Sequence, residues 1–135
     1  MRTNIRVSAV IIVDEKILLI NRLRDGKNYY VLPGGAIEDN ETPEEALIRE
    51  VKEELNLKIN NIREIFTLDN IGGYNKSICF LVKNTTGNLA IVGEEKLRAT
   101  PNNIYILEWI ELGKLSQHNF VPTEVAQKIK ELFVV

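Results

Sequence analysis

The sequence predicts one α/β domain over residues 1–135, an α/β/α sandwich with a mixed central sheet. Three observations predict it: strand-like stretches with period-two alternation open the chain, one strongly capped helix interrupts them, and a second amphipathic stretch follows the last strand. At 135 residues the chain can bury a core without covalent staples. Its 44% hydrophobic and 27% charged residues exclude a disordered or fibrous protein.

Residues 4–13 place Ile5, Val7, Ala9, Ile11 and Val13 on one side of a strand. After the polar break Asp14-Glu15-Lys16, the apolar run Ile17 to Ile20 predicts a second strand. Arg24 to Asn28 reads as a polar loop around Gly26, and Tyr29-Tyr30-Val31-Leu32 as a short strand stopped by Pro33-Gly34-Gly35. Thr42-Pro43-Glu44-Glu45 then supplies an N-cap hydroxyl, a proline at the first helical position and a capping-box glutamate. These predict a helix over Pro43–Leu55, ended by Asn56, a residue that tolerates the left-handed conformation.

Further strands are predicted at Lys58–Leu68, Lys76–Lys83 and Asn103–Ile110, with Ile71-Gly72-Gly73 and Thr86-Gly87-Asn88 as turn signals. Pro122–Phe133 reads as an amphipathic helix through Val125, Ile129, Leu132 and Phe133. Trp109 alternates with Leu107 and Tyr105 and is expected in the core, and Cys79, within Ile78-Cys79-Phe80-Leu81-Val82, reads as a buried apolar filler.

With one cysteine and one histidine, His118, the chain can form neither an intrachain disulfide nor a Cys/His zinc cage. Oxygen ligands must hold any bound metal. Net charge is −2 and the Lys and Arg residues are scattered, so extended nucleic acid is not an expected partner. A small anionic substrate stays open, because a divalent cation can carry the positive charge. No uninterrupted apolar run approaches the roughly 18 residues of a membrane span, and the expectation is a cytoplasmic protein, monomer or homodimer.

Helical residues advance by roughly 100° each, so Glu50, Glu53 and Glu54, at spacings of three and four, share one arc of the predicted helix. Leu47, Ile48, Val51 and Leu55 cover the adjoining arc and would press it into a core. Crowded carboxylates repel unless a cation relieves them, and carboxylate oxygens suit Mg²⁺ and Mn²⁺. Taken alone, Glu-x-x-Glu-Glu reads more readily as a solvated acidic face.

The surrounding residues decide between these readings. Gly35, Glu41, Arg49, Glu50, Val51, Glu53, Glu54 and Leu57 stand at the spacing Gly-x5-Glu-x7-Arg-Glu-U-x-Glu-Glu-x-Gly-U, with U aliphatic. This stretch, Gly35 to Leu57, resembles the Nudix box, with Asn56 in place of the usual glycine. At average residue frequencies the eight matches have a chance on the order of 10⁻⁸ per window. The preceding Tyr30-x-Leu32-Pro33-Gly34-Gly35 is similar to the approach to the box in the same family.

The resemblance implies a Nudix-type fold, a MutT-like pyrophosphohydrolase activity and a Mg²⁺ or Mn²⁺ cofactor. It implies that Glu50 and Glu54 ligate the metal, that Glu53 adds a ligand or orients water, and that the Gly34 carbonyl is a further ligand. Arg49 and Glu41 would support a metal-binding carboxylate through a guanidinium fork, with direct phosphate contact by Arg49 as the other reading. Glu95, with Glu94 beside it, is the candidate for an additional general base, and it reads equally as a solvated loop carboxylate. Arg22 stands where relatives often bind phosphate; plain surface charge is the other reading. Tyr30 either lines a base or sugar pocket or packs beside the loop, and His118 reads as a polar-segment residue without a catalytic part.

The implied reaction is attack of water on a nucleoside diphosphate linked to a group X, with nucleoside triphosphates the favoured substrates. ADP-sugars and dinucleoside polyphosphates are the alternatives within the enzyme class. A catalytically silent nucleotide-binding or sensing module is the alternative outside it, and would be expected to lose one of the three helical glutamates.

Overall fold

Alternation in the opening residues produces β1 (Arg2–Val13), and Asp14 and Glu15, both at positive φ, turn the chain into β2 (Lys16–Arg24). The structure, a computed structural model, describes residues 2–90, 100 and 102–134. β3 (Lys27–Val31) and β4 (Gly34–Glu38) lead to α1 (Pro43–Leu55), followed by the long hairpin of β5 (Lys58–Ile71) and β6 (Tyr74–Thr86). β7 (Asn103–Glu111), a 3-10 turn (Leu112–Gln117) and α2 (Thr123–Phe133) complete the described chain.

α1 has the predicted bounds and both capping-box bonds: Glu45 N–H donates to Thr42 Oγ1 at 3.1 Å and Thr42 N–H to Glu45 Oε1 at 2.8 Å. Asn56 ends it at φ 60°, ψ 29°, and its side-chain amide donates to Asn88 O at 3.1 Å. The position thus needs a left-handed residue, and Asn adds a tie that glycine lacks.

Strand lengths depart from the sequence pattern where tertiary pairing overrides it. β2 continues past Ile20 through Asn21–Arg24, because both of its edges are paired there, to β3 and to β7. Pro33-Gly34-Gly35 does more than stop a strand, since β4 starts at Gly34. A Cβ at Gly34 would lie 2.0 Å from Val7 O, so only glycine lets β4 close on β1 at this point. β5 and β6 run on to Gly72-Gly73, with Ile71 opposite Tyr74.

The described strands form one seven-stranded sheet in the order β3-β2-β1-β6-β5, with β4 on β1 and β7 on β2. It is mixed, as β1 runs parallel to β6 and antiparallel to β2 and β4. β1 shares one edge between two neighbours: β4 pairs with it from Arg2 to Ser8, and β2 only at Ile12 and Val13. The sheet therefore forks, and Leu32-Pro33 crosses between its arms, with Ala9 N–H donating to Pro33 O at 2.9 Å.

Both faces are covered. Val7, Ala9, Ile11, Leu18 and Ile20 pack with Ala46, Leu47, Val51 and Leu55 of α1. Val10, Ile17, Leu19 and Cys79 pack with Val125, Ala126 and Ile129 of α2. This is the predicted layered arrangement, although β1 and β2 contribute to both cores, where the pattern of β1 suggested one. Burial pushes the Cys79 thiol up to about 12, leaving it an unreactive filler. Trp109 is a correction: it is 40% exposed, since β7 pairs only with β2 among the described strands. No described helix is long and apolar enough to cross a membrane.

Candidate active site

At the fork a cleft of about 300 Å³ opens between α1 and the diverging strands. Its helical wall carries Glu50, Glu53 and Glu54, and β4 brings Gly34, Gly35 and Ala36 beneath them. The opposite wall presents Arg6 from β1, Arg22 from β2 and Tyr105 from β7.

The three carboxylates are held differently. Glu54 is buried and accepts from Gly34 N–H at 3.0 Å. Glu50 is also buried and lies directly over Gly35, where an added Cβ would come within 2.4 Å of its carboxylate carbon. Glu53 is the accessible member, with 58% of its side chain exposed.

Arg49 organises this wall. Its Nε and Nη2 grip Glu41 at 2.6 and 2.9 Å, and its Nη1 reaches Glu50 at 2.8 Å and Glu53 at 3.2 Å. Nη2 also donates to Ala36 O at 3.1 Å, tying helix to β4. Every donor of the fork is engaged, so the guanidinium acts here as a fixed bracket. Its bond to Glu41, then those to Glu50, raises its pKa further above its ordinary value. The same Arg49 bond holds the Glu41 carboxyl below its ordinary range.

Arg22 contrasts with it. Its guanidinium carbon lies 3.9 Å from the centre of the Tyr105 ring, Nη2 donates to Asn103 Oδ1 at 2.9 Å, and Nε is buried without an acceptor among the described residues. Arg6 donates from Nη2 to Leu32 O at 2.9 Å and from Nε to Ser8 Oγ at 3.1 Å. Among the described residues neither arginine pairs with a carboxylate.

Of the residues singled out in sequence, Gly34, Arg49, Glu50, Glu53, Glu54 and Arg22 thus meet around one cleft. Tyr30 does not join them: it packs into the α2-side core, edge-on to His118 with ring centres 4.9 Å apart. Strand parity explains this, as neighbouring Tyr29 and Val31 point to the opposite face. Burial, with a hydrogen bond to Glu108, raises the Tyr30 hydroxyl above its ordinary value. Glu94 and Glu95 lie outside the described residues. Arg6 and Tyr74 have no motif to announce them, but Arg6 and Ser8 interrupt the otherwise apolar stretch from Ile5 to Val13 of β1.

The donor set suits a hard divalent cation, being all oxygen, with two buried carboxylates. No three acidic, histidine or cysteine side chains converge into a cage among the described residues. Mg²⁺ needs no such cage, since it keeps several waters and binds through one or two carboxylates together with substrate phosphates.

The signature of the NUDIX domain matches residues 2–131, nearly the whole chain. The chain belongs to the NUDIX domain family. A solved structure of a MutT NUDIX hydrolase from Burkholderia pseudomallei is similar over 100% of both chains, with a TM-score of 0.75 and 26% identity. An ADP-ribose pyrophosphatase of Methanocaldococcus jannaschii is 48% identical over 54 residues, 39% of this chain and 32% of the relative. An 8-oxo-dGTP diphosphatase of Proteus vulgaris is 52% identical over 31 residues, 23% of this chain and 28% of the relative. The matched stretches span about a third of these curated relatives. What this NUDIX chain shares most strongly with them is therefore local, and the fold likeness extends over its full length.

Proposed function

We propose that the protein is a divalent-metal-dependent hydrolase of phosphoric anhydrides that cleaves a nucleoside diphosphate linked to a group X. Nucleoside triphosphates are the leading substrates, giving a mononucleotide and pyrophosphate. The observation that carries this reading is one cleft with buried Glu50 and Glu54 on one wall and Arg6 and Arg22 on the other. Phosphates bridging a cation and guanidinium groups are the ligand that such opposed walls match.

Glu50 and Glu54 would hold the cation, with Glu53 and the Gly34 carbonyl beside them. Bound there, Mg²⁺ or Mn²⁺ would acidify a water and neutralise charge developing on phosphoryl oxygens. Glu53, the accessible carboxylate, takes the proton of the attacking water, a part that Glu95 could share. Arg49 keeps Glu50 and Glu53 in place through its grip on Glu41, and is a positioning residue. Arg22, braced by Tyr105, binds phosphate oxygens of the substrate. Tyr30 has no part in this reading, because it faces the α2-side core.

The likeness to the ADP-ribose pyrophosphatase favours ADP-sugars as a second substrate class. The test is a panel of nucleoside triphosphates, ADP-sugars and dinucleoside polyphosphates with Mg²⁺ and with Mn²⁺, run beside Glu54→Gln. The variant keeps size and removes charge. Its kcat should fall roughly 10³-fold, the several kcal/mol expected of metal-dependent charge stabilisation. Undiminished activity in Glu54→Gln overturns the metal assignment, and nucleotide binding without release of any mononucleotide would instead support a silent binding module.

A further inference from the structure

The cleft continues past Arg6 and Arg22. A second chamber of about 650 Å³ shares those two arginines, Leu32 and Tyr74 with it, and reaches on to Arg24 and Tyr29. Among the described residues its lining contains three arginines and no carboxylate. For a chain of net charge −2, this is a local reversal of sign.

The arginines that join the chambers are fixed in place without being neutralised by any described residue. Arg6 is pinned by Leu32 O and Ser8 Oγ, and Arg22 by Asn103 and the Tyr105 face, all uncharged groups. Arg22 also keeps one buried N–H with no acceptor among the described residues, which costs free energy in the absence of an anion. Among the described residues Arg24 approaches only the exposed Asp25, at 3.9 Å, and such a contact compensates little. Tyr74 and Tyr29 each lie 6.0 Å from a guanidinium, Arg6 and Arg22 respectively, and supply ring faces beside the charge.

A neutral sugar or base would need the aromatic rings but not three cations. A phosphate needs both charge and forked donors, and guanidinium groups match it better than any other side chain. We propose that the second chamber is a subsite for a phosphate carried on the substrate away from the cleaved diphosphate, so that the protein prefers nucleotides bearing an extra sugar phosphate. The inference rests on the placement of the scissile diphosphate against the glutamate wall, but its test requires no turnover.

The test is calorimetric titration of the full chain, without divalent metal, with AMP, adenosine 2′,5′-bisphosphate and adenosine 3′,5′-bisphosphate. At least one bisphosphate should bind about tenfold tighter than AMP, a difference of about 1.4 kcal/mol. The ratio should fall towards one in Arg6→Gln and decrease in Arg24→Gln. Arg24 is exposed, so its variant keeps the test decisive if Arg6→Gln fails to fold. Equal affinities in the wild type, or a preference untouched in the folded variants, overturns the subsite. Bisphosphate preference without hydrolysis of any panel substrate would leave the subsite standing and remove the hydrolase reading. Hydrolysis without that preference would do the reverse.

Discussion

On the helical wall of the cleft Arg49 meets Glu41, Glu50 and Glu53 within 3.2 Å, whereas on the strand wall Arg6 and Arg22 meet only uncharged partners among the described residues. The same side-chain type thus does two jobs. Where its charge is matched inside the protein, the guanidinium fixes geometry and little attraction is left for a ligand. Where it is braced by a carbonyl, a hydroxyl, an amide or a ring face, its position is fixed but its field remains available. Distinguishing a bracket from a binding group therefore depends on the charge of its partners, not on exposure alone.

After Glu54→Gln, the largest effect in testing that contrast is expected at Gly35. A side chain there would press on the Glu50 carboxylate from within 2.4 Å and disrupt the bracket from below. Gly35→Ala should lower kcat by roughly 10- to 100-fold, the range for loss of groups that orient ligands. Unchanged kcat would show that the position of Glu50 is not critical.

Lysine substitution separates the two walls directly. Arg49→Lys keeps charge but loses the fork, and should lower kcat by about tenfold or more. Arg22→Lys keeps a cation on the strand wall while losing the Tyr105 stack and the planar donors, and should raise KM about three- to tenfold with kcat little changed. Steady-state kinetics on the best panel substrate checks both. If Arg22→Lys lowered kcat as much as Arg49→Lys, the division between bracket and binder would fail.

The smallest effect is in stability against pH. Because Arg49 lowers the folded pKa of Glu41 from its ordinary 4.5, their ion pair adds stability that is fully present above 4.5. This contribution is lost as pH falls through the lowered folded value. Urea denaturation of Glu41→Gln against wild type should show a stability gap at pH 7 that narrows below pH 4.5. Arg22→Gln should show no such narrowing, since Arg22 has no carboxylate partner among the described residues.

Much of the helical wall is legible without the structure because its determinants are local. The capping box around Thr42, the left-handed stop at Asn56 and the spacing of Glu50, Glu53 and Glu54 all act within a few residues, where helical geometry dictates which side chains share a face. The Gly35–Leu57 box rests on the same short-range order. The strand wall is set otherwise. Arg6 and Arg22 face one cleft only because β1 pairs with β4 at one end and β2 at the other, opening a fork that no single segment encodes. Tyr30 stood open between pocket and packing until pairing with β2 gave its strand a parity, and Trp109 looked buried until β7 proved to have one neighbour among the described strands. Helix chemistry is written at spacings of three and four; which face of a strand is covered is decided by partners far away in sequence.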